Sequence, residues 1–124
     1  MDRERFEWLV AKAVDSLPDE FRNKLGNIDV VVEGQPTPAQ LAEVGLGRGV
    51  TLLGLYQGVP LTERGRHFGM TVPDKITIFQ KPIEAKSGND GEIEAEVRRT
   101  VRHEIAHHFG IDDARLSRLE EGEG

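Results

Sequence analysis

Apolar residues recur at three- and four-residue spacing from Asp2 to Leu17, at Phe6, Leu9, Val10, Ala13 and Leu17, with Arg, Glu and Lys between them. That period predicts an amphipathic helix. Trp8 lies off the centre of the stripe and reads as a rim packing residue. Pro18 interrupts the pattern and suits the first position of a second short helix, Asp19 to Leu25, which Gly26 and Asn27 stop. The run IDVVVE, Ile28 to Glu33, is short and rich in β-branched residues, which predicts a strand. Thr37 and Pro38 form an N-cap and first-position pair for a short helix over Ala39 to Val44. A second strand is expected over Thr51 to Gln57, with Gly54 as a bulge or a point of close approach. A third is expected over Lys75 to Lys81, where residues alternate up to Pro82, with Ile76 and Ile78 facing one side.

Between these strands, Gly58 to Pro73 shows no period. Its Leu61, Phe68, Met70 and Val72 argue against disorder, so it is expected to form part of a cleft wall. Ile83 to Asn89 reads as a loop. Asn89 or Asp90 then caps a long helix to about Phe109, whose core stripe is Ile93, Val97, Val101 and Ile105. Glu92, Glu94 and Glu96 gather at its positive end, and Glu94 and Arg98 form a favourable i,i+4 pair. Ile111, Leu116 and Leu119 predict a short terminal helix. No repeat and no linker divides the pattern, so residues 1–124 are expected to form one domain, with 120–124 as a frayed tail.

Composition narrows the chemistry. Of 124 residues, 37% are hydrophobic and 31% charged, as in a soluble domain with a modest core. No run is long and apolar enough to span a membrane, and the charged N-terminus lacks an apolar signal core, so a cytoplasmic location is expected. The net charge of −6 argues against a nucleic-acid surface. There is no cysteine, so any transition metal must take His and carboxylate ligands. The glycine-rich stretch Gly45 to Gly49 lacks the Lys-Ser/Thr ending of a phosphate loop.

The long helix ends in His103-Glu104-Ile105-Ala106-His107, the pattern H-E-x-x-H. Residues four apart share a helix face, so His103 and His107 can offer two imidazole nitrogens to one metal ion. Glu104 is turned about 100° from His103. It can reach a water near the ion without being a third helical ligand. Two His ligands and a general base suit zinc-dependent hydrolysis. Gly110 can end the helix in a left-handed turn, after which Asp113 can return as a third ligand and leave a fourth position open. Asp112 competes with Asp113 for that role and otherwise caps the last helix.

The run HEIAHHFGIDDARL resembles the small bacterial zincin-like proteins, a minimal metallopeptidase family. LLGLYQGVPLTERG, from Leu52, and PDKITIFQKPIE, from Pro73, resemble it too, so the likeness covers most of the chain from about Val30 to Leu119. The resemblance implies an α+β fold: a short mixed or antiparallel sheet packed on a long metal-binding helix. With no Met-turn and few residues after Asp113, a lower subdomain is not expected. One Zn²⁺ per chain would be held by His103, His107 and Asp113, with Glu104 as the acid/base. Zincins receive substrate along an edge strand. That implicates Thr77, Ile78 and Phe79, with Tyr56 and His67 nearby. Oxyanion stabilisation falls to Tyr56, His67, Arg64 or His108. The partner implied is a peptide or protein, with no role for nucleic acid or membrane. Two other readings compete: a metal-containing module that binds peptide without cleavage, and a metal-dependent endoribonuclease. The second suffers from the acidic balance and from Asp113 standing where a third His is usual.

Overall fold

The computed structural model describes residues 1–45, 52–58 and 74–110. Helix α1, Arg3–Asp15, starts where the Asp2 carboxylate accepts the Arg5 N–H at 2.8 Å. Its apolar stripe is buried as expected, at Phe6, Leu9, Val10 and Ala13, with Leu17 just beyond. A short α2, Asp19–Lys24, continues into a single 3-10 turn, Leu25–Asn27, which delivers the chain to β1, Ile28–Glu33. Helix α3, Pro38–Glu43, has a full capping box: Thr37 Oγ1 accepts from Gln40 N–H and the Gln40 side chain accepts from Thr37 N–H.

Strand β2, Gly54–Gln57, is shorter than the sequence pattern predicts, and Thr51 lies outside the described residues. Strand β3, Asp74–Phe79, leads directly into α4, Gln80–Lys86, where the sequence pattern carries the strand on to Lys81 and predicts a loop from Ile83. Pro82 therefore does not end a strand. It sits in the first turn of α4, where its missing N–H would have had no intrahelical partner. Ile83 fixes that helix by full burial. The long α5, Asp90–Phe109, is capped by Asn89, whose side chain accepts the Glu92 N–H at 2.9 Å.

The three strands form one mixed sheet in the order β1-β3-β2. β1 runs parallel to β3, with Ile28 opposite Asp74 and Glu33 opposite Phe79. β2 runs antiparallel, with Gly54 opposite Ile78 and Gln57 opposite Lys75. One core joins Phe6, Leu9 and Ala13 of α1, Ile76 and Ile78 of β3, and Ile93, Val97, Val101 and Ile105 of α5. The fold is a small α+β domain with five helices and a three-stranded sheet among the described residues. Among those residues no helix is long and apolar enough to cross a membrane.

Candidate metal centre

The buried stripe of α5 fixes its rotation about its own axis, and so fixes where the histidines point. Ile105 and Ala106 go into the core, while His103 is half-buried and His107 exposed. The two imidazoles lie one turn apart on one face, with centroids 6.2 Å apart and planes tilted by 54°. Neither ring is hydrogen-bonded within the described residues, so their nitrogens are available to a ligand. Helix α5 ends as expected. Gly110 is left-handed at φ 71°, and its N–H reaches the Ala106 carbonyl.

Glu104 is held from the sheet. The backbone N–H of Tyr56 donates to Glu104 Oε1 at 2.9 Å. The contact depends on a close approach of β2 to α5 at Gly54. A Cβ there would lie 2.4 Å from Thr100 Cγ2 and 3.2 Å from the Thr77 carbonyl oxygen. Only glycine lets the strand lie that near the helix. Burial raises the pKa of Glu104 above its ordinary value, opposed by the Tyr56 N–H and by the positive charge available on His107.

The Tyr56 side chain is committed elsewhere. Its ring stacks on His108 with centroids 4.0 Å apart, and its hydroxyl donates to Asp74 Oδ2 at 2.6 Å. His108 thus braces β2 against the end of α5 and also meets Phe109 edge-on at 4.9 Å. Beside His103 and Glu104 an open cleft of about 190 Å³ runs between Leu53 and Gly54 on one side and Thr100 and Arg99 on the other.

Thr77, Ile78 and Phe79 do not form a substrate edge. β3 is the central strand, both its ladders are taken, and all three side chains are fully buried. The edge beside α5 is β2. Phe79 N–H donates to the Leu53 carbonyl, so Leu53 faces β3; by alternation Gly54 and Tyr56 turn their backbone groups outward, as the Tyr56 bond to Glu104 requires. The sequence pattern marks Gly54 as a close approach, but it carries no sign that a main-chain amide holds the candidate base. Asp113, Asp112, His67 and Arg64 lie outside the described residues. Among the described residues no three His, Cys, Asp or Glu side chains converge as a metal site. What is described fits a zinc ion in part: two unengaged imidazoles at one-turn spacing, with a carboxylate drawn aside by a backbone amide.

A family model for zincin-like metallopeptidases matches residues 25–123. A solved structure of a conserved hypothetical protein from the bacterium Thermus thermophilus is 29% identical, with a TM-score of 0.55, over 88% of this chain and 94% of that one. No curated protein matches the sequence.

Proposed function

The chain belongs to the zincin-like metallopeptidase family, and from that premise we propose that it is a zinc-dependent peptidase. His103, His107 and Asp113 would hold one Zn²⁺ per chain, which when bound supplies Lewis acidity to the scissile carbonyl and to the attacking water. Glu104 is the general base. Its Oε1 is held by the Tyr56 N–H, which leaves Oε2 to take a proton from the water as the water oxygen adds to the carbonyl carbon. Glu104 then passes that proton to the amide nitrogen as the carbon–nitrogen bond breaks. A carboxyl whose pKa is raised by burial is better suited to carrying that proton than an exposed one.

Substrate would lie along the outer edge of β2, where Gly54 presents its N–H and C=O. This reassigns the recognition edge from Thr77–Phe79 to Gly54–Gln57. The observation that carries the proposal is the single hydrogen bond from Tyr56 N–H to Glu104, which ties the candidate edge to the candidate base.

Glu104→Gln tests it. The variant should keep its zinc, counted by mass spectrometry, and lose at least about a hundredfold in peptide hydrolysis. Hydrolysis undiminished in the variant refutes the assignment. Zinc that binds equally to a His107→Ala variant refutes the ligand set.

A further inference from the structure

We propose that the opposite edge of the sheet, at β1, is a docking site for a cationic extended peptide segment of a protein partner. Among the described residues the sheet ends at β1. Arg3 Nη1 donates to the Val32 carbonyl at 3.1 Å, so Val32 faces away from β3, and by alternation Val30 does too. The N–H and C=O of Val30 and the N–H of Val32 therefore lie on an open edge. Helix α1 overhangs this edge. Between Val10, Ala11 and Val14 above and Val30 and Val32 below runs a groove of about 540 Å³, far larger than the cleft beside His103. It lies where a fourth strand would place its inward side chains.

Charge selects the occupant. Glu7 and Asp15 line the groove, and neither has a cationic partner among the described residues. Asp15 is also the last residue of α1, where the negative end of the helix dipole disfavours an anion and favours a bound cation. A second copy of this chain would bring the same carboxylates face to face. A cationic strand would pair them instead. The eight helical steps from Glu7 to Asp15 span about 12 Å, close to the ~13 Å covered by four steps of strand. The fitting pattern is therefore basic-x-apolar-x-basic, with all three named side chains on one face.

The probe is a labelled peptide, acetyl-Gly-Lys-Thr-Val-Thr-Lys-Gly-amide, followed by fluorescence anisotropy on the full chain. Saturable binding is expected. It should weaken at least about tenfold in the Glu7→Lys, Asp15→Lys double variant and in high salt. It should be unchanged in His107→Ala and absent for the peptide with Glu in place of Lys. Both replaced acids are exposed, so the double variant should keep the fold, which circular dichroism checks. Slowed hydrogen exchange at the Val30 and Val32 amides in the complex supports strand addition. Binding indifferent to the double variant overturns the proposal. So does loss of binding in His107→Ala, which would put the peptide in the other cleft, and so does a concentration-dependent dimer that protects the β1 amides without peptide.

Discussion

At the scale of single residues, Gly54 and Glu104 are coupled through one amide. Gly54→Ala would push a methyl group to 2.4 Å from Thr100 Cγ2 and 3.2 Å from the Thr77 carbonyl oxygen. Overpacking of this kind costs about 1–3 kcal/mol. Urea denaturation should show that loss, and Thr100→Ser, which removes Cγ2, should restore part of it in the double variant. Additive losses would mean that the contact with Thr100 is not what excludes a side chain. Glu104 makes a prediction of opposite sign. Burial raises its folded pKa, so the folded chain binds the proton more tightly than the unfolded chain does. Its contribution is fully present below the ordinary carboxyl value near 4.5 and is lost as pH rises through the folded value. In zinc-free protein Glu104→Gln should therefore raise Tm at neutral pH, and the gain should vanish below about pH 4. A gain that persists in acid would rule out ionisation as its cause.

At the scale of elements, legibility follows locality. IDVVVE announces β1 to the residue, and the four-residue apolar repeat announces α5 together with its glycine end. The alternating KITIFQK reads correctly as a strand up to Phe79, but its Gln80 and Lys81 open α4, and the strand is the central one rather than an edge. Strand order comes from pairings distant in sequence, β1 with β3 and β2 with β3, and a period-two pattern carries nothing about neighbours. Pro82 is ambiguous for a local reason, since a strand end and a first helical turn both tolerate its missing N–H. The amide that holds Glu104 is invisible in the sequence because every residue type except proline has one. The glycine end of α5 is the element to perturb. Among the described residues a Cβ at Gly110 meets nothing within 4 Å, so the cost expected of Gly110→Ala is that of its left-handed backbone, about 1–2 kcal/mol. Gly110→Asn should cost less. Because the proposed third ligand follows this turn, zinc affinity should fall in the same order, read by chelator competition. Equal zinc affinity in all three proteins would detach the turn from the metal centre.

At the scale of the whole molecule, the family match and the packing set different boundaries. The matched region begins at residue 25, yet α1 lies before it and shares one core with β3 and α5. Phe6, Leu9 and Ala13 are essentially fully buried, on the side of the domain that sets the rotation of α5. That rotation is what turns His103 and His107 outward together. The candidate metal centre therefore depends on a helix that contributes no candidate ligand. Truncating a buried Phe costs about 3–5 kcal/mol against a typical total of about 5–15 kcal/mol. Phe6→Ala should accordingly remove a large fraction of the stability, read as a lower urea midpoint with an unchanged slope. Deleting residues 1–17 should leave a chain without cooperative unfolding, although the proposed zinc ligands and base are all retained. A deletion variant that still unfolds cooperatively and binds one zinc would show that the domain closes without α1.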